Sequence, residues 1–244
     1  ALPIVFVQGG AWERGTKAQM RPTALAERGF AIASVEFRPA SRAPFPGQVH
    51  DLKPAVRFLR ASADRLGYDA ARIGIAGASS GAHLAALVGT TNGHRELEGA
   101  TGEHLGVSCA LHAIVAYFPA TNLATILAQS TPFALNIRTP AVTSLLGAAP
   151  DAAPDIAQLA SPVFHVDAGD PPLLLLHGDQ DPQMPINQSH ELEGAYEAAG
   201  LPGELIVVHG AAHGGDAFYD EERMERVAQF FERHLQPQIS ATGS

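Results

Sequence analysis

The chain has 244 residues, of which 46% are hydrophobic and 17% charged, with a formal net charge of −9. That length supports one sizeable core and hence a single domain over residues 1 to 235, and no apolar run approaches the roughly 20 residues that span a bilayer. The acidic balance argues against nucleic acid or an anionic membrane as a partner and favours a neutral small-molecule ligand, and the lone Cys109 has no partner for an internal disulfide.

Short apolar, β-branched runs alternate with longer helical patterns along the chain, and each run ends in glycine or a turn signal. A first strand over Ile4 to Gln8 leads to a helical pattern over Lys17 to Arg28, and a second over Ala31 to Phe37 to one over Val49 to Leu66. The strand Ile73 to Ala76 runs directly into a helix over Ser80 to Thr90, and a fourth strand covers Ala113 to Phe118. The stretch from Thr121 to Pro172 breaks the rhythm. It is too long for an ordinary connection, carries five prolines from Pro132 to Pro162 and shows only short helical patterns, so it reads as a cap-like insertion over a pocket. The rhythm then resumes with strand Leu173 to His177, helix Ile186 to Ala199, strand Leu205 to His209 and a helical pattern over Asp216 to His234. The polar stretch from Gln236 to Ser244 reads as a frayed tail. The N-terminus carries no signal-peptide pattern, which leaves the compartment open.

Such a βαβ series predicts an α/β fold, a doubly wound and mainly parallel sheet flanked by helices, with ligands bound beyond the carboxyl ends of the strands. The chemistry should therefore follow strand ends. Gly77-Ala78-Ser79-Ser80-Gly81 sits between an apolar strand and a helix start, the context of a nucleophile elbow, in which flanking glycines permit a tight turn that bares the serine hydroxyl. Gln8-Gly9-Gly10-Ala11-Trp12 follows the first strand, and there the N–H groups of Gly10 and Ala11, joined by that of Ser80, are candidate oxyanion donors. Past the fifth strand, His177-Gly178-Asp179-Gln180-Asp181-Pro182 supplies two carboxylates. Asp181 is the candidate to orient a histidine, while Asp179, nearer the strand, is expected to tie down the turn. Of the 11 histidines, His213 lies in a glycine-flanked loop after the last strand and is the candidate base; His83 is expected to be a satisfied packing residue on the helix behind Ser79. His209 and His213 are spaced as zinc ligands on a helix would be, but Gly210 and the preceding strand oppose a helix there, so the residues call for no metal and no other cofactor.

With these motifs in place, the chain resembles the hormone-sensitive-lipase-like branch of the α/β-hydrolases, especially BD-FAE-like bacterial carboxylesterases of the acetyl or feruloyl esterase type. The resemblance is carried by VFVQGGAW at 5–12, FRPASRAPFPGQVHDLKPAVRFLR at 37–60, IGIAGASSGAHLAAL at 73–87 and PPLLLLHGDQDPQMPINQSHELEGAYEAAG at 171–200. It implies a serine carboxylesterase with Ser79 as nucleophile, Asp181 as acid, His213 as base and an oxyanion loop at Gly10 and Ala11, acting on a small-molecule ester with Trp12 and Phe118 among the pocket walls. Amide or aryl-formamide hydrolysis on the same triad, and a catalytically silent binding module, are the alternatives. Two departures stand out. Gln8 occupies the position of a histidine that usually braces the oxyanion loop, which implies a looser loop, and the chain starts at the strand carrying that loop where relatives have one or two further strands, which implies an exposed sheet edge.

Overall fold

A computed structural model describes residues 1–236, so the expected polar tail beyond Gln236 lies outside the described residues. Six strands, β1 Leu2–Val7, β2 Phe30–Val35, β3 Gly74–Ala78, β4 Ala113–Tyr117, β5 Leu173–Gly178 and β6 Gly203–Val208, form one sheet in the order β2-β1-β3-β4-β5-β6. Every pairing is parallel. All six expected strands are present. The order reverses between β1 and β3, a switch point at which the loops leaving two neighbouring strands diverge and leave a crevice.

Among the described residues ten α-helices cover the sheet: α1 Ala24–Glu27, α2 Val49–Ala61, α3 Ala63–Leu66, α4 Ser80–Gly89, α5 Arg95–Glu98, α6 Ile126–Gln129, α7 Pro132–Leu146, α8 Pro154–Leu159, α9 Asn187–Ala198 and α10 Glu221–Leu235. Because side chains alternate across a strand, the sheet feeds two cores. Val5, Val7, Ile75, Ala116 and Leu175 pack with α2, α4, α9 and the 121–172 segment, while Ile4, Phe6, Ala76, Val115 and Leu176 pack with Leu25 of α1 and with Met224, Val227 and Phe231 of α10. The central strands are buried throughout, but β2 and β6 form half-exposed edges. Among the described residues no helix is long and apolar enough to cross a membrane.

Three expected helices are interrupted. The pattern at 17–28 splits into a 3₁₀ turn at Lys17–Gln19 and the short α1, with Pro22 between them, since Pro disfavours helical backbone in the residue before it. The 49–66 helix breaks at Ser62, and the 216–234 helix begins in earnest only after Asp220, whose side chain accepts from the N–H of Arg223 at 2.9 Å and caps it. Conversely, the 121–172 segment holds more helix than its prolines suggest. α7 runs 15 residues through Pro140, forgoing one backbone hydrogen bond but burying Ala141, Val142, Leu145 and Leu146.

α4 presses closely on the sheet because its first turn carries glycine. A Cβ on Gly81 would stand 2.2 Å from the carbonyl oxygen of Val7 and 2.6 Å from that of Gln8, contacts that only backbone movement could relieve. Gly81→Ala is therefore expected to lower unfolding free energy by at least about 2 kcal/mol in urea titration. Gly194→Ala on α9, where an added Cβ meets nothing within 4 Å, should lose nothing and gain up to about 1 kcal/mol.

Candidate active site

At the carboxyl edge of the sheet lies a cleft of about 550 Å³, bordered by the loops after β1, β3, β4 and β5 and by the 210–215 loop after β6. Four non-glycine residues among those described have positive φ, namely Ala11, Trp12, Ser79 and Phe118, and each follows a strand that ends at this cleft. Such backbone costs on the order of 1–3 kcal/mol per residue and persists only where surrounding packing enforces it.

Ser79 sits at φ 54°, ψ −120° between β3 and α4, with its N–H donating to the carbonyl of Tyr117 at 2.9 Å. Its Oγ is 2.9 Å from His213 Nε2, and His213 Nδ1 is 2.6 Å from Asp181 Oδ2. The carboxylate can only accept, so Nδ1 carries the proton and Nε2 is free to accept from the serine hydroxyl. The ring of Phe118, in the cleft wall, lies 4.7 Å from that of His213.

Asp181 is sealed from solvent, yet every bond around it favours the charged form. Its Oδ1 accepts from the N–H groups of Gln183 and Met184, each at 2.8 Å. Burial pushes the pKa up, but hydrogen bonds from His177 and His213, the latter's charge and the Met184 N–H outweigh it and hold the carboxyl well below the usual range. His177 was not singled out in the sequence. It is fully buried, with Nε2 facing both the Met184 carbonyl at 3.1 Å and Asp181 Oδ2 at 3.5 Å, so that Nε2 donates while Nδ1 accepts from the Ser189 hydroxyl at 2.7 Å. Its place at the end of β5 was legible; its pairing depends on Ser189 of α9 folding back over the strand. Asp179 turns the other way, accepting from Gly210 N–H at 2.7 Å and meeting His209 Nδ1 at 2.8 Å, which ties the β5 turn to the loop that carries His213.

The N–H groups of Gly10, Ala11 and Ser80 make no hydrogen bond among the described residues, and Gly10 and Ala11 line the cleft beside Ser79. Gln8 also lines it, with Oε1 buried and without a partner, so its side chain does not brace the loop. Other bonds do. The Gly10 carbonyl accepts from the N–H groups of Glu13 and Arg14 at 3.1 and 2.9 Å, the Trp12 carbonyl accepts from Ala40 N–H at 3.0 Å, and Glu13 is bonded to the hydroxyls of Ser41 and, on α7, Ser144.

Trp12 corrects an expectation. Instead of lining the cleft, its side chain is fully buried beneath the loop, and its indole N–H donates to His83 Nδ1 at 2.9 Å. A positive φ of 62° at Trp12 turns the side chain inward, a reversal that residue type alone does not reveal. His83 in turn donates from Nε2 to the carbonyl of Ala160 at 2.7 Å, joining the β1 loop, α4 and the 121–172 segment in one buried relay.

Fold and site together define an α/β-hydrolase: a parallel sheet with a serine at a strained strand-to-helix turn, and histidine and aspartate supplied from later strand ends. More narrowly, the chain belongs to the BD-FAE family, whose model matches residues 2–196. It is 28% identical over 217 residues to the esterase LipC of Mycobacterium tuberculosis, covering 87% of this chain and 53% of that protein. It is 29% identical over 218 residues to the isoprenylcysteine alpha-carbonyl methylesterase ICME of Arabidopsis thaliana, covering 86% and 49%. The chain thus spans about half the length of these curated relatives. Among solved structures it resembles a truncated carbohydrate esterase from gut microbiota, with TM-score 0.88 and 31% identity over 95% of this chain and 85% of that one. A butyrate-bound esterase, Est2 of Thermogutta terrifontis, gives TM-score 0.77 and 29% identity over 95% and 83%.

Burial lowers the pKa of His83 from its ordinary 6.5 to about 4 despite its bond to Ala160. A histidine whose folded pKa is depressed binds its proton more readily when unfolded, so stability falls as pH drops below 6.5 and stops falling below about 4. Roughly 3 kcal/mol is expected to be lost across that window. His83→Gln should be less stable at pH 7 yet show a shallower decline from pH 6.5 to 4, measured by urea unfolding at a series of pH values.

Proposed function

We propose that this protein is a serine carboxylesterase in which Ser79, His213 and Asp181 form the catalytic triad. The observation that carries the reading is the unbroken hydrogen-bonded chain from the Ser79 hydroxyl through His213 to the buried carboxylate of Asp181, opening on a cleft beside unpartnered backbone N–H groups. Ser79 Oγ attacks the ester carbonyl as its proton passes to His213 Nε2. The N–H groups of Gly10, Ala11 and Ser80 receive the oxyanion, and His213 returns the proton to the departing alcohol. Water, deprotonated by His213, then attacks the acyl-enzyme and releases the acid. Asp181 stabilises the imidazolium in both halves of the cycle and remains ionised throughout, consistent with its strongly depressed pKa.

The similar proteins named as esterases, and those named as carbohydrate esterase or bound to butyrate, support short acyl groups or acylated carbohydrate as substrates. Residues 121–172 act as a cap, since α7 contributes Ile137 and Arg138 to the cleft wall. Phe118 forms part of the cleft wall beside His213.

With p-nitrophenyl acetate, Ser79→Ala is expected to lower kcat by about 10⁴-fold or more, and Asp181→Asn by a comparable factor because the wrong imidazole tautomer would face the serine. Circular dichroism should show both variants folded. Retention of full activity by folded Ser79→Ala protein would overturn the reading.

A further inference from the structure

The cleft reverses the charge of the protein that surrounds it. The chain as a whole carries −9, yet among the described residues no aspartate or glutamate lines the cleft and three arginines do: Arg14, Arg21 and Arg138. Arg21 is loosely paired with the exposed Asp216, at 3.3 Å. Arg14 and Arg138 have no carboxylate within ion-pair distance among the described residues.

Arg138 is the informative one. It reaches the cleft from α7 with only 2% of its surface exposed, its Nη2 donates to the carbonyl of Gln183 at 3.1 Å, and its Nε is buried without any partner. Burying a guanidinium with one neutral hydrogen bond is costly, because its charge and most of its five donors lose water without receiving an acceptor. Burial pulls its pKa down and the charge of Asp181 pulls it back up. That carboxylate, however, spends its hydrogen bonds on His177, His213 and two backbone N–H groups, none of them on the arginine. A carboxylate arriving in the cleft would satisfy the open donors in the geometry that arginine matches best.

We infer that the cleft is built for an anionic ester, one bearing a carboxylate that Arg138 binds and Arg14 attracts at the mouth. The average field of the chain, which by itself argues for a neutral ligand, is overridden locally. The inference rests on the proposed esterase reading and narrows its substrate class. The carboxylate can belong to the acyl side, as in a half-ester of a dicarboxylic acid, or to the alcohol side, as in an acylated uronic acid.

The test uses Ser79→Ala protein, which binds without turnover, and two matched ligand pairs: monophenyl succinate against phenyl butyrate, and acetylated methyl glucuronoside against acetylated methyl glucoside. Calorimetry is expected to give at least one anionic ligand a Kd about 10-fold or more below that of its neutral partner, and the pair that shows it identifies which side carries the charge. Adding Arg138→Gln should remove most of that preference, and Arg14→Gln, at an exposed position that tolerates change, should reduce it about threefold and weaken its dependence on salt. Equal or weaker binding of the anion in both pairs, or a preference unchanged in either arginine variant, overturns the inference. Hydrolysis of p-nitrophenyl acetate and of the two anionic esters by the wild-type protein is scored separately: turnover of any of them without anion preference defeats the anionic substrate alone, and anion preference with turnover of none defeats the esterase reading alone.

Discussion

Ser79 is held in backbone geometry that an isolated chain would avoid, and much of the site follows from what holds it there. β3 must turn into α4 within one residue, and the helix can approach the sheet only because residues 77 and 81 lack side chains; a Cβ at Gly77 would lie 2.3 Å from the carbonyl oxygen of Gly81. That close approach brings the start of α4 against the end of β1, so the glycine-rich loop after β1 lies beside the serine. The Tyr117 carbonyl of β4 takes the Ser79 N–H and fixes the turn from the other side. Strain at one residue is thus balanced by packing across three parallel strands, which is why the hydroxyl stands at the sheet's edge and not within it.

Electrostatics complete what geometry begins. A single buried carboxylate, Asp181, gathers two histidines and two backbone N–H groups, and this keeps it ionised in a place where burial alone would neutralise it. The 121–172 segment is tied into the same region at several points. Ser144 of α7 bonds Glu13 of the β1 loop, Ala160 accepts from His83 beneath Trp12, and Arg138 reaches the cleft wall. A segment that reads in sequence as a cap-like insertion therefore also helps to hold the loop that carries the proposed oxyanion donors, and it stands in for the bracing that Gln8 does not supply.

The six strands were legible because strands buried on both faces in a parallel sheet leave nearly unbroken apolar runs closed by glycine or turn residues. Ser79, Asp181 and His213 were legible for a related reason: each follows a strand end, and residues there converge on one edge of the sheet whatever lies between them in sequence. What depends on side-chain direction was hidden. Trp12 looks like a pocket wall until its positive φ is known, and Arg138 looks like one of many scattered arginines until α7 is seen to place it at the cleft. The helix readings at 17–28 and 121–172 failed because proline acts in opposite ways. Pro22 separates two short helices, whereas Pro140 sits inside a long one because buried neighbours on α7 compensate for the missing hydrogen bond.

The most direct test of the hydrogen-bonded serine is chemical. A fluorophosphonate probe reacts only with a hydroxyl whose proton is being withdrawn, and mass spectrometry of the digested protein locates the adduct. The account predicts one adduct per chain, on the peptide containing Ser79, formed far more slowly in His213→Gln. An unmodified Ser79 in folded wild-type protein, or labelling that proceeds equally fast without His213, would contradict it.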